Sequence, residues 1–416
     1  MNSARFHAWV AAVQVALLST AILLFAGTPA KAAVAPGTVL LSATATLPGE
    51  LAPLATGKRI AYVSTSVTGS PITATGLIIT PKTNKKNRTV AWGHGTTGLA
   101  DKCAPSASQA VFWPEARAAI AALLGKGLTV AAPDYPGLST PSAHPYLIGM
   151  SEARSMIDSV KAARNLDSKL TTAYAVDGHS QGGQAALFAG ELAPSYDGPL
   201  VLKAVSAIAP VSNAQIFAPL IPGTPGQGYL VMALYGLNAV DPTFNPNSVL
   251  APPAKQKTSV LQTGCLYEIL DAYAPLTPEQ LLIGGALPAP VLAKLAQYVN
   301  PAQSAPTAPV LLIQGTDDEA VPYFLTADVL VDQLEAYQTQ PVAYEPAPVA
   351  RPAVVRSEAP VVAERPAKRS WQKRAIVIGG SSGAGAGIGA LIGGKKGALI
   401  GAAIGGGAST VYEVTK

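Results

Sequence analysis

Between about Arg59 and Gln314, short β-branched apolar runs alternate with longer stretches of helical period. Tyr62–Val67, Ile72–Ile79, Thr89–Trp92, Leu128–Ala132, Ala173–Val176, Leu202–Ile208 and Val310–Ile313 read as strands. Pro114–Leu124, Ser151–Leu166 and Gln184–Leu192 read as helices, the first with its proline in the opening turn. Strands alternating with helices predict an α/β fold: a mostly parallel sheet covered on both faces. Residues 211–307 interrupt the alternation with prolines, a Gly-Thr-Pro-Gly turn and short apolar helices such as Pro290–Val299. That stretch is too long for a connection and too apolar to be loose. It is expected to be an inserted helical cap, or else core helices of an elaborated fold.

The pattern also sets the boundaries. Val10–Phe25 is mostly apolar behind Arg5 and His7, and Ala30-Lys31-Ala32 offers a small-residue cleavage site. Residues 1–32 are therefore expected to be a secretory signal peptide, with an uncleaved anchor as the alternative, and residues 33–339 the folded domain. Residues 340–370, rich in Pro, Ala, Val, Glu and Arg, read as a linker. In the tail, 371–416, glycine recurs at 385, 389, 393, 397, 401 and 405. A helix built on that spacing has one bare face, as in membrane glycine zippers, so membrane or envelope contact through residues 375–407 is one expectation; low complexity is the other.

Charge sharpens this division. Residues 345–416 carry ten Lys/Arg against four Asp/Glu, and the rest carry nineteen against twenty. The body is near neutral, which leaves a nucleic-acid role without electrostatic support. The two cysteines, Cys103 and Cys265, lie in a chain read as exported, so a disulfide is the natural expectation and two buried thiols the alternative. No spacing suggests a metal site, and no cofactor is implied.

The candidate chemistry is a nucleophile. Gly178-His179-Ser180-Gln181-Gly182 follows a strand and opens a helix, the setting in which a strained turn lifts a serine hydroxyl above a sheet edge. The Gln181 N–H then stands at a helix N-terminus, where it can stabilise an oxyanion. A second donor is expected from Gly93-His94-Gly95-Thr96-Thr97-Gly98, the loop after an early strand. A carboxylate just beyond a late strand can orient a base, and Asp317 and Asp318 both fit, with Asp318 preferred; a turn or helix cap is the structural alternative. A second serine match, Gly379–Gly383, and a dinucleotide-like run, Gly385–Ala390, lie in the tail without the required strand or βαβ unit.

Ala91–Ser106, Asp134-Tyr135-Pro136-Gly137-Leu138, His144-Pro145-Tyr146-Leu147, Gly178–Gly183 and Gln314–Pro322 together resemble the secretory lipases of fungi and bacteria, over about residues 40–335. The resemblance implies an α/β-hydrolase with an inserted cap, acting on lipid or other small carboxylic esters outside the cytoplasm. It implies Ser180 as nucleophile, Asp318 as triad acid, Thr96 and Thr97 in the donor loop, and Cys103 bonded to Cys265. It also implies a histidine after the acid, following a last strand. The chain holds only His7, His94, His144 and His179. His144 is the remaining substitute base, and the resemblance makes it a structural or pocket residue. Without the last strand, a sheet edge is expected to stand open. A catalytically silent hydrolase-like body attached to the envelope by its glycine tail is the alternative from a different class.

Overall fold

In the computed structural model the described residues are 34–339 and two strands further on, 375–379 and 409–414. The signal-like segment, the linker and most of the glycine-rich tail lie outside them. Within the unit Pro36–Lys416, the chain forms β1 (Val39–Ala45), β2 (Ala55–Thr65), β3 (Pro71–Pro81), β4 (Thr89–Gly93), α1 (Pro114–Gly125), β5 (Thr129–Pro133), α2 (Gly149–Leu166), β6 (Ala173–His179), α3 (Gln181–Tyr196) and β7 (Val201–Ile208). It continues through α4 (Ala214–Phe217), α5 (Gln227–Val240), α6 (Pro252–Lys255), α7 (Val260–Thr263), α8 (Leu266–Tyr273), α9 (Pro278–Leu281) and α10 (Ala289–Val299). Next come β8 (Val310–Gly315), a π-helical turn at Leu325–Leu330, α11 (Val331–Thr339), β9 (Ala375–Gly379) and β10 (Ser409–Val414).

The strands make one sheet in the order β1-β2-β3-β5-β4-β6-β7-β8-β10-β9. Strands β5, β4, β6, β7 and β8 are mutually parallel, and both flanks are antiparallel. The C-terminal ends of the five parallel strands therefore open on one edge, where α/β folds place their ligands. On one face α2 and α3 bury Met156, Val160 and Leu187 against Val176, Val205 and Leu312. On the other, α1 buries Ile120, Leu123 and Leu124 against Val90, Trp92 and Val130. Full burial of each such side chain contributes about 1.5–3 kcal/mol.

Helices α4–α10 all fall between β7 and β8 and have a core of their own. Leu230, Met232, Leu237, Ile269, Tyr273 and Leu281 pack there with Leu295, and Tyr146 and Leu147 reach in from the body. Prolines at the first turns of α6, α9 and α10 explain why these helices are short and separately started.

Two tail segments depart from the sequence reading. Ala375–Gly379 and Ser409–Val414 are strands, and β10 runs antiparallel along β8, pairing Val411 with Ile313. The edge of β8, expected to stand open, is paired. Ala-Ile-Val-Ile and Thr-Val-Tyr carry enough β-branched and aromatic residues for strands, and the surrounding glycines had dominated the reading. The elements within the body also run longer than their sequence signals. Helix α3 spans Gln181–Tyr196 rather than 184–192, because packing against β6 and β7 outweighs the low propensity of Gly182, Gly183 and Pro194.

Candidate active site

Strand β6 delivers Ser180 onto a sharp turn. Its φ of 56° and ψ of −115° lie outside the ordinary regions for a residue with a side chain. Such strain persists only where the surroundings hold it. Here the holding is backbone against backbone. A Cβ on Gly178 would stand 2.1 Å from the Gly182 carbonyl oxygen, and one on Gly182 would stand 2.0 Å from that of Gly93. The Ser180 N–H donates to the Ile208 carbonyl (2.8 Å), and the Ser180 carbonyl accepts from Gln184 N–H (3.0 Å). Strands β4 and β7 and helix α3 thus clamp the turn from three sides. Gly182→Ala is expected to cost about 3 kcal/mol, because the new methyl meets backbone that cannot turn aside; a urea midpoint within error of the wild type would refute this.

Gln181 is the first residue of α3, so no carbonyl lies one turn back for its N–H. Its side chain turns inward. The amide nitrogen donates to Glu152 Oε1 at 2.7 Å and reaches His144 Nε2 at 3.2 Å. The loop after β4 lies beside the elbow, with Gly95 backed on His179. His94 sets its two ring nitrogens on the Gly95 and Asp134 carbonyls (2.7 and 3.2 Å), and Tyr135 donates to the His94 carbonyl (3.0 Å). Thr96 Oγ1 shares a hydrogen bond with Tyr146 Oη (2.7 Å), and its carbonyl accepts from Trp113 Nε1 (3.1 Å). The Thr97 carbonyl accepts from Leu266 N–H at 2.8 Å. The buried Thr97 hydroxyl has no partner among the described residues.

Cys103 and Cys265 are joined, with S–S 2.04 Å and Cα–Cα 5.6 Å. The bond lies against Gly98, whose φ of +131° suits glycine and whose missing side chain leaves room for Cys103 Sγ. The loop after β4 is thereby tied to the start of α8.

Past β8, Asp317 is exposed and Asp318 is half-buried. Asp318 Oδ1 accepts from the N–H groups of Ala320 and Val321 (2.9 Å each), and Oδ2 from Gln314 Nε2 (3.0 Å). Val321 and Ser180 line one apolar pocket, together with Tyr146, Phe217, Ile221, Leu230 and Leu295. One opening therefore brings together the serine, the tyrosine that holds Thr96 and the turn that holds Asp318.

The described histidines are placed differently. His144 has Nδ1 on the Pro136 carbonyl (2.7 Å) and Nε2 on Gln181, so both nitrogens are occupied. Burial lowers its pKa to about 3, leaving little basicity. Burial likewise lowers His94 and His179. His179 Nδ1 has no partner, and none of the three bonds to Ser180 among the described residues. His7 lies outside those residues.

Two buried carboxyls had no sequence signal. Glu152 on α2 is one. Asp177, paired across the sheet with Ser206, is the other, and neither of its oxygens has a hydrogen-bond partner in good geometry. Burial raises Asp177 to about 7 and Glu152 to about 8. A carboxyl raised in this way binds its proton more tightly folded than unfolded. Its contribution is intact below the unfolded value of about 4 and is lost as pH rises through the folded one. Thermal stability is therefore expected to fall from pH 5 to pH 8. Asp177→Asn should recover at least about 1 kcal/mol at pH 8 and nothing at pH 4; equal gains at both pH values would contradict the assignment.

A strained serine between strand and helix, at the C-terminal edge of a mostly parallel sheet under a helical insertion, is the plan of an α/β-hydrolase. The fold agrees with two solved structures. Candida antarctica lipase A is 20% identical with a TM-score of 0.61, covering 72% of this chain and 74% of that one. The rice cell wall degrading esterase LipA from Xanthomonas oryzae is 22% identical with a TM-score of 0.61, covering 74% and 90%. The chain belongs to the secretory lipase family, whose model matches residues 103–345. It is also similar to the secreted triacylglycerol lipase LIP7 of Malassezia globosa, 25% identical over 288 residues. The match covers 64% of this chain and 60% of that relative's length.

Proposed function

We propose that this chain is an extracytoplasmic carboxylic ester hydrolase for lipid or small esters, with Ser180 as acyl acceptor and no resident histidine base. The observation that carries the reading is Ser180 itself, strained at the elbow and opening on a pocket of apolar side chains suited to an acyl chain. In this reading the Ser180 hydroxyl adds to the ester carbonyl. The N–H of Gln181 and a donor from Thr96 or Thr97 stabilise the oxyanion. The alcohol leaves with a proton, and water then hydrolyses the acyl-serine. In the same reading Asp318 orients the base, and residues 211–307 act as the cap. With His94 and His144 hydrogen-bonded elsewhere and His179 making no bond to Ser180 among the described residues, the serine proton passes to a base from solution.

The second reading is a silent hydrolase-like body that binds but does not turn over, displayed at the envelope by residues 371–416. The occupied nitrogens of His144 favour it. Hydrolysis of a short-chain chromogenic ester by the mature chain, beside Ser180→Ala and with added imidazole, separates the two. Turnover that requires Ser180 supports the hydrolase. Identical rates in the two proteins under every condition support the silent body.

A further inference from the structure

Glu152, Gln181 and His144 form a buried chain of hydrogen bonds that ends at the elbow. They are 0%, 1% and 3% exposed. Gln181 Nε2 has two protons, and two acceptors face it: Glu152 Oε1 and His144 Nε2. The His144 Nδ1–H is spent on the Pro136 carbonyl, so its Nε2 is the accepting nitrogen. Glu152 Oε1 also accepts from Leu147 N–H at 2.9 Å. Glu152 Oε2 is buried and receives no donor among the described residues. An ionised carboxylate would leave that oxygen as an unpaired buried charge, whereas a carboxylic acid places its O–H there. The Gln181 side chain is thus held between the start of α2 and the loop before it, and the same residue carries the backbone donor next to Ser180.

We infer that Glu152 is a positioning residue that acts through Gln181, holding its backbone N–H on the oxyanion, and that it must be uncharged to do so. The inference rests on the assignment of Ser180 as nucleophile. The titratable groups that interact electrostatically with Glu152 are Tyr135 and Tyr146, and His144 is joined to it through Gln181. Burial pushes both phenols well above their usual range and keeps His144 neutral, so none supplies a positive charge at neutral pH. No Lys or Arg pairs with Glu152 among the described residues. Burial raises Glu152 to about 8, opposed by the bonds from Gln181 and Leu147. Above that pH a negative charge appears one side chain away from where the transition state places its own.

Two measurements on the full mature chain test this. In protein 15N-labelled at glutamine, the Gln181 backbone amide resonance should move between pH 7 and pH 9 and stay still in Glu152→Gln. A stationary Gln181 resonance in folded wild-type protein overturns the inference. The second is the rate of Ser180 modification by a fluorophosphonate, read as the ratio of wild type to Glu152→Gln. That ratio should be level below pH 7 and fall about tenfold per pH unit above the transition. A ratio level across the range also overturns it. Absence of Ser180 modification at every pH would count against the nucleophile assignment, and the Gln181 resonance would still decide the coupling to Glu152.

Discussion

Ser180→Ala is expected to lose the part of ester hydrolysis that an added base restores to the wild-type chain, which by itself turns over slowly. Loss of a triad histidine costs a factor of about a million in turnover. What remains is about 10³–10⁴ over water, supplied by the oxyanion donors and by binding. On the proposed mechanism those parts are the elbow N–H of Gln181, the loop at Thr96 and Thr97, and the apolar pocket. A positioned general base contributes about 10²–10⁴, so an added base should recover part of the loss. Imidazole is expected to raise the wild-type rate in proportion to its concentration, at least about tenfold before saturation, and to leave Ser180→Ala at the rate of imidazole alone. If the two proteins respond alike, Ser180 is not the acceptor. If wild type is fast without imidazole, a base reaches Ser180 that the described placement of the histidines does not provide, and His144→Ala would show whether His144 moves to supply it.

The elbow was legible because three levels agree at Ser180. The motif spacing, the short apolar run Ala173–Val176 before it and the apolar helix after it all describe one turn. Asp318 stands past a late strand, where its sequence position puts it, and its carboxylate accepts three hydrogen bonds, two of them from N–H groups of its own turn, while Asp317 is exposed. The run of short helices between β7 and β8 is marked in the sequence by its length and proline content. What could not be read depends on partners distant in sequence. Strand β1 has the exposed residues Leu40 and Leu41 and no clean alternation; pairing with β2 makes it a strand. Strand β2 begins at Ala55, ahead of the signal at Tyr62, because Gly57, Lys58 and Arg59 are drawn into the ladder by neighbours on both sides. Strand β10 pairs with β8 across about a hundred residues. Glu152 meets Gln181 29 positions on, and nothing local to helix α2 announces it.

The same dependence on distant partners makes the disulfide the most consequential structural bond in the molecule. Cys103 and Cys265 are 162 residues apart, and closing a loop of that length in the unfolded chain is worth about 5 kcal/mol on the chain-entropy account, with measured values of about 2–5. Cys103→Ser with Cys265→Ser should lower stability within that range, read as a drop in urea midpoint at unchanged slope. The loss should not stop at stability. Cys265 precedes α8, where Glu268 accepts its N–H (3.0 Å) and the next N–H, of Leu266, reaches the Thr97 carbonyl. Gly98 is wedged against the sulfurs on the other side. Freeing the two cysteines is therefore expected to loosen the loop at Thr96–Gly98 and the start of α8 together. At a temperature where the double variant is still folded, Ser180 modification by a fluorophosphonate should be slower by about tenfold, the loss of one oxyanion donor being worth about 10²–10³ when complete. A variant that loses stability but reacts at the wild-type rate would make the bond a brace for the fold alone. A variant that keeps its stability would mean that the contacts of α8 with the body already hold the insertion in place.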